Sequence, residues 1–376
     1  METVPDQRGH GPGQTGQRTG TEEAAEGGTV GGTQHRAYIG SFSAGGGLGI
    51  TVADVDPDTG ALTAVHSTDA VENPSYLALA PGGRALYAVS QNDDGAAVAL
   101  SLADPARPEP LGPPVPVAGA APTHLTLALG HLLTANYRSG SVTALPIAGD
   151  GRLGDPVSVL QHEGSGPEPD RQQGPHAHGV HPDPSGRWAL GVDLGTDSVW
   201  VYALDAPGGR PVVHHETRLW AGSGPRHLVF HPRGHRAYIV NELDSTLTTC
   251  RWDAETGELA PIGTTPVAPQ DSESVNFPSE AAIAADGRFL WVANRGHDSI
   301  ATLALDATGD TPALVTTVDC GGRRPWDLAL HPSGRHLYAA NEGSGDVTWF
   351  DVDPTTGELT RGGAIPAPSA SCVILG

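Results

Sequence analysis

The sequence contains no lysine, so every basic side chain other than histidine is an arginine. An anion bound to this protein must be held by arginine, histidine or backbone N–H groups, and a lysine Schiff base is excluded. Acidic residues number 43 against 21 arginines, which gives a net charge of -22. This excess of negative charge argues against nucleic acid and against an anionic membrane surface as partners.

Cysteine is also scarce. Cys250, Cys320 and Cys372 are scattered without a C-x-x-C pair, which predicts reduced structural thiols in a cytosolic protein. No apolar run reaches transmembrane length, and the N-terminal residues contain no apolar core of a secretory signal. We therefore expect a cytoplasmic protein.

Residues 1–34 lack Leu, Ile, Phe, Tyr and Trp, and Gly, Thr, Gln and Glu dominate them. Such a segment cannot bury enough apolar surface to offset the entropy lost on ordering. The composition predicts a disordered tail over residues 1–34 and a folded domain over residues 35–376.

The folded part repeats one pattern. Its clearest copies are PSYLALAPGGRALYAVSQN from Pro74, PRHLVFHPRGHRAYIVNE from Pro225 and PWDLALHPSGRHLYAANE from Pro325; weaker copies begin at Pro122, Ala177 and Pro278. The copies start about 47 to 55 residues apart, a period typical of propellers and solenoids. Each copy predicts two alternating strands joined by a tight turn, with a Val- or Leu-rich strand after them. Four strands per repeat without a helical period indicate propeller blades.

The two ends of the domain supply the last blade. HRAYIGSF near residue 35 is a second-strand segment without a first strand, and IPAPSASCVILG at residues 365–376 is a first strand without a second. Joining them completes a seventh blade and leaves no sheet edge exposed at the closure. The sequence therefore predicts an all-β, seven-bladed β-propeller with four antiparallel strands per blade.

Strand direction sorts the polar residues between the two faces of the disc. Turns between first and second strands lie on one face, where we place His181, His231 and His331 as scaffold residues of His-Pro turns, together with Arg84, Arg187, Arg288 and Arg335. Segments that enter first strands, and loops that follow second strands, lie on the other face. Because first strands line the central channel, these residues converge at its mouth, where a pocket is expected.

The mouth collects candidate site residues from several blades. They are His176, His178, Asp193, Arg226, His227, Glu242, Glu280, Arg295, Asp298 and Arg324. Arg226 and Arg295 break the repeat, because the other copies hold different residue types there, and Glu242 differs from every copy except the one from Pro325, which carries Glu342. A charge that most copies lack favours function. Asn136, Asn241, Asn294 and Asn341 recur instead and read as turn residues. Asp193 and Asp298 fit either a site or backbone hydrogen bonding. The loops 161–177 and 264–279 reach the same face as a rim, a lid or plain variable loops.

The segments GPHAH, DLGTD, GPRHLVFHPRGHRAYIVNEL, SEAAIAADGRFLWVANRGHDSI and RRPWDLALHPSGRHLYAANE together resemble the bacterial β-propeller lactonases. That family includes propeller-type 6-phosphogluconolactonases and is similar to the fungal carboxy-cis,cis-muconate cyclases. The resemblance spans residues 35–376 and implies a site of one His, two Arg and one Glu. By motif these are His178 (or His176), Arg226, Glu242 and Arg295.

The resemblance implies hydrolysis of a sugar-derived lactone of the 6-phosphogluconolactone type to the open acid. We expect a cytoplasmic monomer that needs no cofactor. We expect His178 and Glu242 to share the general-base and general-acid roles, and Arg226 and Arg295 to hold the oxyanion or a substrate anion. His176, Asp193, His227, Glu280, Asp298 and Arg324 are the expected substrate-binding residues. No G-x-S-x-G elbow supports a covalent route, and no H-E-x-x-H spacing supports a metal. A lactonising cyclase, a metal-dependent lactonase and a non-catalytic scaffold stay open as alternatives.

Overall fold

The computed structural model describes residues 35–205, 209–269 and 275–376. The tail expected over residues 1–34 lies outside the described residues, as does part of the loop 264–279. Across the three described ranges, 29 strands form seven antiparallel sheets, and the innermost strands of neighbouring sheets pack against one another in a closed ring. The expected seven-bladed propeller is confirmed.

The strands of the first four blades follow in chain order. They are β1 (Arg36–Ser41), β2 (Gly49–Val55), β3 (Leu62–Thr68), β4 (Pro74–Leu79), β5 (Ala85–Ser90), β6 (Ala96–Ser101), β7 (Glu109–Pro110), β8 (Val115–Pro116), β9 (Pro122–Ala128), β10 (His131–Asn136), β11 (Ser141–Pro146), β12 (Ser158–Gln161), β13 (Ala177–Pro182), β14 (Ala189–Asp193), β15 (Ser198–Leu204) and β16 (Pro211–Arg218). One 3-10 turn, Ser43–Gly45, lies between β1 and β2.

The remaining strands build the last three blades and the closure. They are β17 (Pro225–Phe230), β18 (Arg236–Asn241), β19 (Thr246–Asp253), β20 (Glu258–Pro266), β21 (Phe277–Ile283), β22 (Phe289–Arg295), β23 (Ser299–Ala304), β24 (Ala313–Asp319), β25 (Pro325–Leu330), β26 (His336–Asn341), β27 (Asp346–Val352), β28 (Leu359–Pro366) and β29 (Ala370–Leu375). In the described residues no helix is long and apolar enough to span a bilayer.

The ring closes inside one sheet. Blade 1 has the order β29-β1-β2-β3, so its inner strand comes from the C-terminal end of the propeller and its other strands come from the N-terminal end. Ile39 pairs with Val373, and the Arg36 amide donates to the Gly376 carbonyl at 3.0 Å. Blades 2 to 7 are then built from consecutive strands, with the outer edge of blade 2 split into β7 and β8. The expected closure by the two end strands is confirmed.

The apolar core lies between blades. In the described ranges, seven clusters of buried side chains each combine residues of two neighbouring blades. The aromatic residue of the repeat also fastens one blade to the next by a hydrogen bond. Tyr87 donates to the Gly151 carbonyl at 3.0 Å, Tyr338 donates to Gly60 at 2.9 Å, and Trp291 performs the same role through its indole N–H. The tyrosine of the Leu-Tyr pair in the repeat thus connects neighbouring blades.

The recurring asparagines serve the scaffold, as the sequence predicts. Each lies at or next to the end of a second strand; Asn136, Asn241 and Asn341 donate from Nδ2 to partners in their own blades, and Asn294 donates to the Val267 carbonyl that follows blade 5. Asn241, for example, donates to the hydroxyls of Thr246 and Thr248, both at 2.8 Å. These buried hydrogen bonds hold second and third strands together at the channel mouth.

The placement of His181 in a turn is wrong. The tight turn of blade 4 is closed by the Asp183 amide, which donates to the Trp188 carbonyl, just as His231 and His331 close the turns of blades 5 and 7. Asp183 therefore occupies the turn position, and His181 lies two residues earlier, inside β13. His181 is buried and its ring lies beside two other histidines of the channel.

Candidate functional site

The inner strands share a local irregularity that creates the site. A shift of register, or β-bulge, follows the first residue of the inner strand in blades 2, 4, 5 and 7. A bulge re-aims side chains, and here residues at two consecutive positions border the same cavity, as Arg226 and His227 of β17 do. The channel mouth is therefore lined by two layers of side chains, an upper and a lower one.

In the upper layer, four blades carry small hydroxyl residues and three do not. Ser75, Thr123, Ser279 and Ser371 each donate to a carbonyl at the start of the next inner strand. The other three blades place His178, Arg226 and Trp326 at this position, all of which border the cavity. A hydroxyl group is enough for the contact between neighbouring inner strands. The three larger side chains are therefore not explained by that contact.

Glu242 is the centre of the upper layer. It follows β18, is 4% exposed, and its carboxylate receives three guanidinium groups. Arg295 Nη2 lies 2.5 Å and Arg226 Nε 3.3 Å from Glu242 Oε2, while Arg171 Nη2 lies 2.5 Å from Oε1. Three positive charges around one negative charge leave the cluster cationic.

The charges of this cluster set the protonation states. Burial alone raises the pKa of the Glu242 carboxyl, but the surrounding positive charges, Arg295 foremost, outweigh burial and hold it well below its ordinary value. Burial and the neighbouring Arg295 lower the pKa of Arg226 to about 10. At neutral pH the Glu242 carboxylate is therefore ionised and Arg226 is charged.

His178 faces this cluster as a neutral base. Burial lowers its pKa well below 6.5, and the positive charge of Arg226 lowers it further. Its ring lies edge-on to Tyr137 with the centroids 5.4 Å apart. A neutral imidazole keeps one lone pair free to accept a proton.

Trp326 forms a platform beneath the guanidinium groups. The guanidinium carbon lies 4.7 Å from its ring centroid for Arg295 and 5.8 Å for both Arg226 and Arg324. Cation–π contacts of this kind hold a guanidinium plane in place. The platform comes from blade 7, whereas Glu242 comes from blade 5, so the cluster spans three consecutive blades.

The lower layer holds His124, His227, Glu280 and Asp327, all buried. His227 Nδ1 lies 2.6 Å from Glu280 Oε1. Burial raises the pKa of the Glu280 carboxyl, an effect that the positive charge of Arg226 opposes. Burial likewise raises the pKa of Asp327, with the charge of Glu280 as the second cause. The cavity between the layers measures about 20 Å³, room for about one water molecule.

Three of the residues predicted to bind substrate point elsewhere. Asp193 is fully buried, accepts backbone N–H groups including that of His176, and contacts His162 at 2.6 Å. The His176 ring stacks on Tyr137 with the centroids 4.5 Å apart. Asp298 accepts the Arg324 amide at 2.8 Å and organises the loops of blades 6 and 7. The structure therefore gives Asp193 and Asp298 the backbone-bonding role that the sequence left open.

Other predicted residues do meet. His178, Arg226, Glu242 and Arg295 form one cluster, and His227 with Glu280 lies directly beneath it. Arg324 is at the rim, 3.3 Å from Glu342 and half exposed. Strand direction and departures from the repeat predicted one cluster of residues at the channel mouth, and this geometry agrees with that prediction.

Besides His181, five residues of the channel were not predicted from the sequence. Trp326 departs from the hydroxyl pattern of its layer, and Tyr76, His124 and Asp327 occupy the position next to it in their own blades. The sequence carries a signal for these four residues, because each one aligns with Arg226 or His227 when the repeats are superimposed. Arg171 had none, because it lies in the loop 161–177 and has no equivalent in the repeat.

The structure is thus that of a closed seven-bladed propeller with a cationic arginine–carboxylate cluster at the mouth of its channel. The chain belongs to the lactonase family of seven-bladed β-propellers, whose family model matches residues 36–375. It is 32% identical over 332 residues to the 6-phosphogluconolactonase of Bacillus subtilis, which covers 87% of this chain and 94% of that protein.

Solved structures agree with this membership. The structure of a protein from Bacteroides fragilis described as a putative 6-phosphogluconolactonase has a TM-score of 0.85 at 28% identity and covers 92% of this chain and 98% of that one. The periplasmic gluconolactonase of Pseudomonas aeruginosa has a TM-score of 0.83 at 30% identity and covers 91% and 99% of the two chains.

Proposed function

We propose that this protein hydrolyses a sugar-derived lactone, of the 6-phosphogluconolactone type, to the open-chain acid. The observation that carries the proposal is the pair Arg226 and Arg295, which one buried carboxylate, Glu242, holds side by side at the channel mouth. The names of the Bacillus subtilis and Pseudomonas aeruginosa relatives support a lactone as the substrate.

The charge of the cluster favours an anionic substrate. Arg171, Arg226 and Arg295 supply three positive charges against one from Glu242, and Arg324 lies at the rim. Guanidinium groups bind carboxylate and phosphate through paired N–H donors. The narrow cavity beneath the cluster is too small for a sugar ring, so the lactone would lie above it, against the arginines.

The proposed reaction uses one base and two cations. Neutral His178 takes a proton from a water molecule as the water oxygen bonds to the lactone carbonyl carbon. Arg226 and Arg295 stabilise the oxyanion that forms on the carbonyl oxygen. The bond from that carbon to the ring oxygen then breaks, and protonated His178 returns its proton to the departing oxygen. The product is the open hydroxy acid, and His178 is neutral again.

Glu242 has a positioning role in this proposal. A carboxylate held by three guanidinium groups is a weak base, because protonation would remove its attraction to all of them. We therefore assign proton transfer to His178 and the orientation of the two arginines to Glu242. This narrows the sequence-based hypothesis, in which the two residues share acid and base roles.

A substrate panel tests the proposal. Purified protein is assayed with 6-phosphogluconolactone, gluconolactone and a muconolactone, with the release of acid followed against the uncatalysed rate. Faster opening of the first alone supports a phosphate subsite, and opening of both sugar lactones supports a non-phosphorylated substrate. Turnover restricted to the muconolactone supports a cyclase-type activity instead. Failure to accelerate any of the three contradicts the proposal and favours a scaffold.

The proposal includes a cytoplasmic monomer that acts without nucleic acid or membrane partners. Cell fractionation tests the compartment, a useful check because the Pseudomonas aeruginosa relative is described as periplasmic. Size-exclusion chromatography with light scattering tests the oligomeric state.

A further inference from the structure

Three histidines meet in the channel below the arginine cluster. His124 of β9, His181 of β13 and His227 of β17 come from three consecutive blades, and one ring nitrogen of each lies within 4.8 Å of the others. Ring centroids are 4.7 Å apart for His124 and His181, and 4.5 Å apart for His181 and His227. All three side chains are buried.

Packing alone does not account for this arrangement. His181 Nε2 is buried and has no hydrogen-bond partner among the described residues. A buried polar atom without a partner is destabilising, so its presence points to a ligand or another compensating contact. His124 Nδ1 receives only a long hydrogen bond, 3.3 Å, from the Val180 amide. Two of the three rings thus have weakly used acceptor nitrogens.

The backbone makes room for the third ring. Gly179 occupies the position at which blades 3 and 5 carry His124 and His227. A Cβ at this glycine would lie 2.6 Å from His181 Nε2. Because blade 4 has no side chain here, His181 reaches up from the next inward-facing position to the level of the other two rings.

Neighbouring carboxylates complete the environment. Glu280 Oε1 lies 2.6 Å from His227 Nδ1. When the carboxyl group is ionised it accepts the Nδ1–H of this ring, and Nε2 is then the lone-pair nitrogen. Metal-bound histidines commonly donate their other N–H to a carboxylate in this way. Asp327 borders the same cavity, and its Oδ1 has no hydrogen-bond partner within the described chain. In their ionised forms, Glu280 and Asp327 would balance the charge of a divalent cation.

We propose that His124, His181 and His227 bind a divalent transition-metal ion, with zinc as the best match. Imidazole nitrogens suit zinc, and three histidines leave a fourth coordination position, as in zinc sites that bind water or a small ligand. Zinc–nitrogen bonds of about 2.0 Å place tetrahedral ligand atoms about 3.3 Å apart, so small rotations of these rings suffice. The proposal does not depend on lactonase activity.

The three residues lie at positions 124, 181 and 227, far apart in the chain, so no local spacing reveals the site. For this reason the sequence pattern predicts no metal. In the structure, the register of β13 places His181 in the channel rather than in the turn, and there it meets the other two rings.

Metal titration tests the proposal without reference to catalysis. Full-length protein without an affinity tag is treated with a chelator, desalted and titrated with Zn²⁺ by calorimetry. Co²⁺ is used in parallel for its visible absorption. We expect one Zn²⁺ per chain and cobalt bands characteristic of tetrahedral coordination. His124→Asn and His181→Asn should each abolish the bands, and Glu280→Gln should weaken binding by about 10- to 100-fold.

Two matched variants control for other histidines. His231→Asn alters a buried histidine of a turn, and His214→Asn alters a surface histidine beside His215; both should bind Zn²⁺ like the parent protein. Thermal unfolding without metal establishes that each variant is folded. Should the parent protein show no stoichiometric site, or should the folded His124 and His181 variants bind as tightly as the parent, the proposal is overturned.

Discussion

Arg295 and Glu242 join two neighbouring blades at the channel mouth. Arg295 Nη2 lies 2.5 Å from Glu242 Oε2, and Arg295 ends the second strand of blade 6 while Glu242 follows the second strand of blade 5. Both side chains are almost completely buried. The contact has no equivalent between the other blades in the described residues, which sets the candidate site apart from the scaffold.

Removal of one oxyanion-binding cation should slow the reaction. We expect Arg226→Ala to lower kcat/KM for the best lactone about a hundredfold, roughly 2.7 kcal/mol of lost transition-state stabilisation. Initial-rate assays measure the change. Arg335→Ala provides a control, because Arg335 is exposed and contacts the Pro57 carbonyl. Equal rates for Arg226→Ala and the parent protein would exclude Arg226 from the chemistry.

Arg171 should tune substrate binding from the loop. Its guanidinium contacts Glu242 at 2.5 Å while being 37% exposed, so solvent weakens its influence. We expect Arg171→Ala to raise KM for an anionic lactone by about fivefold, with a smaller change in kcat, and added salt should reduce the difference. Arg171→Lys should restore most of the binding. A parent-like KM in Arg171→Ala at low salt would contradict this role.

The pH profile should separate His178 from Glu242. Because burial and Arg226 lower the pKa of His178, its neutral form persists below pH 6.5, and activity should be lost only as pH falls through that lowered value. We expect His178→Gln to reduce kcat by about 10² to 10⁴. Glu242→Gln should reduce the rate yet keep the acid limb in place. Disappearance of the acid limb in Glu242→Gln would instead make the carboxylate the base.

Stability should respond to acid through His181. Burial lowers its pKa below 6.5, with His227 as the second cause, so the unfolded chain binds the proton more readily than the folded one. The free energy of unfolding therefore falls as pH drops below about 6.5, with a slope of about 1.4 kcal/mol per pH unit from this one group. Denaturant unfolding of chelator-treated, metal-free protein at several pH values measures it.

Comparison with His181→Asn separates the contribution of His181 to the pH dependence of stability from those of other groups. The raised pKa values of Glu280 and Asp327 make the folded state more stable as pH falls, which opposes the effect of His181. The variant should show a shallower loss of stability in acid, whereas His214→Asn, a surface change, should follow the parent protein. Parallel curves for His181→Asn and the parent would contradict the lowered pKa.

Much of the fold could be predicted from the sequence because the repeat is local and complete. Each copy carries its own strands and turn, and the orphan strands at the two ends match one another, so the blade count and the closure followed directly. The error at His181 arose because its His-Pro dipeptide imitates those of blades 5 and 7. Only the hydrogen bond between Asp183 and Trp188 reveals the true register.

The site could be predicted in part, for a physical reason. Arg226, Glu242 and Arg295 occupy repeat positions, so strand topology places them on one face. Arg171 lies in a loop whose path depends on tertiary packing, including the hydrogen bond from Gln172 to Asp197. The meeting of His124, His181 and His227 depends on side-chain reach across three blades, which no pattern within one repeat encodes.

The closure of the ring within blade 1 has a mechanical consequence. β1 and β29 are antiparallel neighbours, and Arg36 and Gly376, which exchange backbone hydrogen bonds, lie together at one end of that pair. Tension applied at the two ends of the propeller would load these hydrogen bonds one after another, in an unzipping geometry, rather than all at once in shear. The ring should yield first at this seam and at low force, although the same seam holds all seven blades together at rest.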